Sequence, residues 1–319
     1  MPAYLDRFFP IECWTHESRV SHNRVVIRSD HASNPSFFRF PVHPQLAFKT
    51  PSVDFRFSNL KAAKRVWTVP SIHGEVDRLR KLHDQLLPEL KAGDRVVYLG
   101  NYIGVGHDSA PVIDELLTFR RMALAIAGFQ PTDLVYLRGQ QEELLQRIFQ
   151  LQFASTPWVV YEWMLDQGLA PTLESYGIDA REGLNAAAAD TNRLSRWTNF
   201  VRHMVYRREG HDQFFGSLKR AAFTNVSDEK PMLFVNTGVK TDLRLEDQGD
   251  RFWWGGDDFQ TITDAYDPFG RVIRGYDPQR RGLYINCVTA TMDNGCGFGG
   301  SLACAAWEKD GSVGQIFEA

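Results

Sequence analysis

The chain has 319 residues, of which 43% are hydrophobic and 24% charged, with a formal net charge of −3. That balance excludes a disordered chain, and the absence of a basic excess excludes the phosphate-neutralising surface of a nucleic-acid binder. No apolar run reaches the roughly 18 residues of a membrane span. Met1-Pro2-Ala3-Tyr4-Leu5-Asp6 lacks the basic and apolar regions of a signal peptide, so the expected location is cytoplasmic. Cys13, Cys287, Cys296 and Cys304 match neither a zinc motif nor a disulfide framework and read as buried, reduced thiols.

The first sixty residues hold eight of the 22 phenylalanines, six of the 15 prolines and four of the nine histidines. Proline at this density prevents long helices, and such aromatics tend to leave water. Residues 1–63 therefore read as an extended arm that lays its aromatics on another surface, its own domain or a partner. Phe8, Phe9, Phe37, Phe38 and Phe40 are the candidate anchors for a protein partner or a second copy of the chain. The four histidines of the arm have no ligand spacing.

From residue 64 a strand–helix rhythm begins. Arg65–Val69 reads as a buried strand, followed by a helix from about Glu75 to Leu90 with Val76, Leu79, Leu82 and Leu86 on one face. Arg95–Leu99 is a second strand, and a glycine-rich loop from Gly100 to Gly106 leads to a helix that Ser109 can cap, with Pro111 in its first turn. Leu134–Leu137 is a third strand. Residues from about 143 to 225 are helix-rich, and from Met232 strands return at Met232–Val235, Val272–Ile273, Leu283–Ile285 and Leu302–Trp307. This is an α/β pattern whose loops stand at strand ends, where ligands usually bind.

Five of those loops share one form, a hydrophobic strand followed by glycine and polar residues. They are Pro70-Ser71-Ile72-His73-Gly74, Gly100-Asn101-Tyr102-Ile103-Gly104-Val105-Gly106, Gly139-Gln140-Gln141-Glu142, Val235-Asn236-Thr237-Gly238 and Arg274-Gly275-Tyr276-Asp277-Pro278. Their order and spacing resemble the bacterial serine/threonine protein phosphatases of the calcineurin-like metallophosphoesterase superfamily, which read G-D-I-H-G, G-D-Y-I-D-R-G, G-N-H-E, V-H-A-G and G-H-T-P. Asp108–Leu117, Thr172–Gly177, Gly210–Phe214 and Asp293–Leu302 look like the segments that flank those motifs. The resemblance covers residues 64 to about 315. It implies a four-layer αββα sandwich over 64–319, two central mixed sheets flanked by helices, with a helical insert at about 143–225.

The chemistry departs from that pattern. By the resemblance, the metal-ligand positions are Ser71, His73, Asn101, Gln140, Asn236 and Tyr276, and only His73 keeps the family's residue. Gln141 stands where the family has its general acid, and Gly104 and Val105 stand where it closes the second motif with aspartate and a phosphate-binding arginine. Trp253-Trp254-Gly255-Gly256 stands where a second such arginine follows. Two divalent ions about 4 Å apart repel by roughly 17 kcal/mol at an effective dielectric constant of ~20, and anionic bridges normally offset this. Neutral amides bind hard cations poorly and do not replace imidazoles. A dinuclear metal centre is therefore expected to be absent, with no other cofactor and no catalytic residue. Tyr276 is expected to fill the vacated space with its ring.

The resulting expectation is a catalytically inactive pseudophosphatase that serves as a protein-binding scaffold or regulatory subunit. Two alternatives stand beside it: a divergent metallophosphoesterase using one metal at His73, and a sensor for a nucleotide or phosphate compound.

Overall fold

Runs of Val, Leu, Ile and aromatic residues too short for helices, separated by glycine turns, form the two sheets of the computed structural model, which describes residues 56–319. The elements in chain order are β1 (Phe57–Asn59), β2 (Arg65–Val69), α1 (Val76–Leu86), β3 (Asp94–Tyr98), α2 (Ser109–Leu124), β4 (Leu134–Tyr136) and α3 (Gln140–Ile148). The insert follows as α4 (Pro157–Met164), a π-helical turn (Leu165–Leu169), α5 (Ala170–Ser175), α6 (Ala180–Ala189), α7 (Thr191–Tyr206) and α8 (His211–Ser217). The chain then returns through β5 (Ala221–Phe223), β6 (Met232–Val235), α9 (Arg251–Trp254), β7 (Arg271–Arg274), β8 (Tyr284–Ile285), β9 (Thr289–Thr291), β10 (Ala303–Glu308) and β11 (Val313–Glu318).

One sheet has the order β1-β5-β6-β7-β9-β8 and the other β11-β10-β2-β3-β4, each mixing parallel and antiparallel pairs. Side chains alternate across each strand. In β2, Val66 enters the core between the sheets with Val97, Leu99, Val135, Phe234 and Ile273. Trp67 and Val69 point the other way, to the helices carrying Leu79, Leu82, Ile113 and Leu116. The outer face of the β1-β5-β6-β7-β9-β8 sheet is covered by Phe252, Trp253 and Phe259. Helices, sheet, sheet and helix give the expected αββα sandwich.

Several local expectations are corrected. Ser109 is the first residue of α2 rather than its cap; its hydroxyl instead meets Thr172 Oγ1 at 3.0 Å. The helical insert ends at Ser217, and Ala221–Phe223 is already a strand. β1 pairs with β5 in parallel, so the chain joins a sheet upstream of the boundary expected at 63/64. Cys296 and Cys304 are buried, but Cys287 is exposed. Among the described residues, no helix is long and apolar enough to cross a membrane.

Candidate functional site

Backbone hydrogen bonds draw the five strand-end loops into one cluster. Ser71 N–H donates to Gly275 O at 3.0 Å, and the Ile72 and His73 N–H groups both donate to Asn101 O, at 2.9 and 2.8 Å. Tyr276 N–H donates to Asn236 O at 2.9 Å. The turns are tight enough that His73, Asn101 and Val105 take φ of 51°, 58° and 64°. For the β-branched Val105 this is a strained conformation, held by its N–H bond to Gly168 O at 2.8 Å. At Gly104, with φ of 85°, an added Cβ would lie 2.2 Å from Gln141 Oε1, so the loop passes against that side chain only because it has none of its own.

The polar side chains gathered there bond to one another and to the loops. Asn101 Nδ2 donates to Ser71 Oγ at 3.3 Å, and Ser71 Oγ donates to Gly275 O at 3.0 Å. Asn101 Oδ1 accepts the Gln141 N–H at 3.1 Å. Asn236 Nδ2 donates to Leu99 O at 2.7 Å, while its Oδ1 accepts from Gln140 N–H at 3.3 Å and Thr237 Oγ1 at 2.9 Å. An amide can both donate and accept. A carboxylate could not make the bonds from Asn101 to Ser71 or from Asn236 to Leu99. Gln141 Nε2 donates to Gln167 O at 2.8 Å, and Gly104 N–H donates to Thr172 Oγ1 at 2.8 Å.

Gln141 Oε1 is one exception, buried without a hydrogen-bond partner, and His73 is another. Its ring is 1% exposed, and neither nitrogen has a hydrogen-bond partner. Tyr276 and Phe298 pack edge-on against it with centroids at 5.5 and 5.3 Å, and the Arg280 guanidinium lies 3.6 Å over the Phe298 ring. Tyr276 thus occupies space beside His73. Burial drives the His73 pKa down to about 3. The nearby Ile103 backbone opposes this without hydrogen-bond geometry, and the Arg280 charge adds to it. The imidazole is neutral near pH 7.

Three features escaped sequence reasoning. Glu142 is fully buried and staples two loops: Oε2 accepts from Asn101 and Gly139 N–H at 2.9 and 2.8 Å, and Oε1 from Tyr102 and Ile103 N–H at 2.8 and 3.3 Å. Burial raises its pKa, and those backbone donors oppose the rise. A Glu three residues after the glycine that opens α3 is a capping-box signal, which could have found it. The insert's π-helical turn supplies the Gln167 and Gly168 carbonyls that hold Gln141 and Val105; Gly168, with φ of 90°, was legible as a break. Asp277 forms ion pairs with the fully buried Arg274 at 3.0 Å and with Arg281 at 2.8 Å. Burial raises its pKa, but Arg281 and Arg274 together bring it below the usual carboxylate range.

The structure therefore brings Ser71, His73, Asn101, Gln140, Gln141, Asn236 and Tyr276 to one cluster, with Gly104 and Val105 on its rim loop. Among the described residues, no group of three or more His, Cys, Asp or Glu is arranged to hold a metal ion. Phe8, Phe9, Phe37, Phe38 and Phe40 lie outside the described residues.

No family model matches the chain, and no curated protein does. Among solved structures, the chain is similar to a crystal structure described as a diadenosine tetraphosphatase, at 16% identity over 83% of this chain and 98% of the other, with a TM-score of 0.51. A protein serine/threonine phosphatase from Saccharomyces cerevisiae matches at 13% identity over 83% of this chain and 85% of the other, with a TM-score of 0.48. A cold-active protein-tyrosine phosphatase of a Shewanella species matches at 13% identity over 86% of this chain and 88% of the other, with a TM-score of 0.43. The chain shares its overall fold with the structure described as a diadenosine tetraphosphatase. At these identities the likeness establishes the fold alone.

Proposed function

We propose that this chain is a non-catalytic protein on a metallophosphoesterase fold, acting in the cytoplasm as a protein-binding scaffold or regulatory subunit. The observation that carries the reading is that neutral Asn101 and Asn236 bond within the protein at both ends of their side chains. Asn236 Oδ1 already accepts two hydrogen bonds, and Asn101 Oδ1, which accepts one, is neutral and so a poor ligand for a hard cation. Ser71 and Tyr276 bring no charge, and among the described residues the His73 ring belongs to no group of three or more His, Cys, Asp or Glu that could hold a metal ion.

This donor set does not fit a pair of divalent ions: it supplies no anionic bridge against their mutual repulsion. Nor does Gln141 fit a proton donor, because its amide is not an acid and its Nε2 is committed to Gln167 O. With Gly104 and Val105 in place of charged groups, nothing on the rim loop clamps a phosphate. The partner would be another protein, engaged through the aromatic arm carrying Phe8, Phe9, Phe37, Phe38 and Phe40.

Turnover of p-nitrophenyl phosphate, phosphopeptides and dinucleoside polyphosphates with added manganese tests the reading. No metal-dependent turnover is expected; a rate on the order of 1 s⁻¹ or more would overturn it. Affinity purification from the native cell with and without residues 1–55, a truncation that keeps β1, tests the arm: a specific partner that depends on those residues is expected.

A further inference from the structure

The helical insert turns a strongly charged face to solvent. From Thr191 to Arg208 the sequence holds five arginines and one histidine and no aspartate or glutamate, in a chain whose net charge is −3. α7 takes up nearly all of that stretch. Its apolar positions Leu194, Trp197, Val201 and Val205 are buried in the core, and the Trp197 ring packs edge-on against Tyr161 of α4 with centroids 5.0 Å apart. That anchorage fixes which side of the helix faces out. Along the outer side a stripe runs in steps of three and four residues, from Arg193 through Arg196, Phe200 and His203 to Arg207. All five are exposed. At 1.5 Å per residue the stripe is about 21 Å long, and the Phe200 ring, 42% exposed, stands at its middle.

The other two arginines of the stretch are committed within the protein. Arg202 Nη2 donates to Phe149 O at 3.0 Å, and Arg208 pairs with Asp114 at 2.7 Å. Among the described residues, Arg193, Arg196 and Arg207 form no ion pair. The pattern costs the helix stability. Arg193 and Arg196 repel each other at i,i+3, and Arg193 lies in the first turn, where the macrodipole disfavours cations. Helix formation therefore does not account for it.

We propose that this stripe is a docking surface for an acidic amphipathic helix of a partner protein, whose carboxylates meet Arg193, Arg196 and Arg207 and whose apolar residue packs on Phe200. Charge complementarity carries the choice of partner. The cations stand in a single file at the spacing of side chains along one face of a second helix laid beside α7. Phe200 between them supplies an apolar centre with a charged rim, the usual anatomy of a protein interface. A nucleic-acid strand carries one charge about every 3.4 Å, a far denser row than this file matches. A lone phenylalanine is also much less than the broad apolar face with which a helix enters a bilayer. Docking here asks nothing of the loop cluster, so it holds whether or not the chain is catalytic.

Fluorescence anisotropy with the full chain tests it, using a synthetic helical peptide as long as α7 that carries glutamates around a central leucine at the spacing of the stripe. A peptide of the same composition, scrambled so that its glutamates circle the helix, is the control. The striped peptide is expected to bind at least ~10-fold more tightly than the scrambled one. Arg196→Glu combined with Arg207→Glu should weaken it at least ~10-fold, and Phe200→Ser at least ~3-fold. Raising salt from ~0.1 to ~1 M, which cuts the Debye length from about 10 to about 3 Å, should weaken it at least ~10-fold. Should the charge reversals unfold the chain, Arg196→Gln with Arg207→Gln gives the same reading on a neutral helix. Equal binding of the two peptides, no saturable binding below ~1 mM, or affinity unchanged in the arginine variants would overturn the proposal. Tighter binding of a polyuridylate strand or of phosphatidylserine vesicles would also overturn it, in favour of a nucleic acid or a membrane.

Discussion

If the His73 imidazole is buried without a partner, acid should destabilise the fold through that one group. Its pKa is about 3 in the folded protein, against an ordinary value of 6.5. A histidine depressed in the folded state contributes stability that is fully present above the unfolded pKa and lost as pH falls towards the folded one. Between those values the unfolded chain binds the extra proton, so stability rises with pH across the window. The 3.5-unit gap corresponds to roughly 5 kcal/mol over the full window, of which about 2 kcal/mol is lost between pH 7.5 and pH 5. Urea denaturation of the parent and of His73→Asn at those two pH values isolates the effect. Asparagine tolerates the positive φ at this position and does not titrate. His83 and His211 are also depressed by burial, but they contribute equally to both proteins and cancel in the comparison. The parent should lose about 2 kcal/mol more than the variant on going to pH 5. Equal losses would refute the reasoning, and so would a parent whose midpoint rises with added manganese or zinc, since a metal on His73 would stabilise the fold by mass action.

Other perturbations follow from the same geometry. Glu142→Gln should lower the unfolding free energy by about 3–5 kcal/mol, because an amide NH₂ would face backbone donors that now share a carboxylate; a loss under ~1 kcal/mol in the same denaturation assay would show that the staple is unimportant. Asp277→Asn should cost about 3–5 kcal/mol by leaving the buried Arg274 unpaired, read as a fall in thermal midpoint. Asn101→Asp restores a carboxylate but loses the bond to Ser71, so it should destabilise the chain without conferring manganese-dependent stabilisation. A manganese-dependent rise in its melting temperature would mean that the loops still hold the shape of a metal site.

Much of the scaffold was legible in the sequence. Arg65–Val69, Leu134–Leu137 and Met232–Val235 announced themselves as apolar runs because those strands are buried on both faces. β1, β5 and β9 span only three residues each, too few to show a period, and their pairing is decided by neighbours far away in sequence. β11 alternates in exposure, but its glycine and glutamine positions blur the hydrophobic alternation that would have marked it. In the site, the loops could be placed from their glycines, and the polar residues that meet there could be named from the order of those loops. The sequence did not reveal that Asn101 and Asn236 would use both ends of their side chains, that Glu142 would tie four amides, or that Arg274 would be buried against Asp277. Those facts depend on which backbone atoms the fold brings within 3 Å or so of each side chain.

The most direct measurement is the metal content of the chain after equilibrium dialysis against manganese, zinc and iron(II), with no chelator at any stage. The account predicts no stoichiometric ion bound to the cluster around His73, and the same result for His73→Asn. Two ions per chain, lost on that substitution, would contradict it.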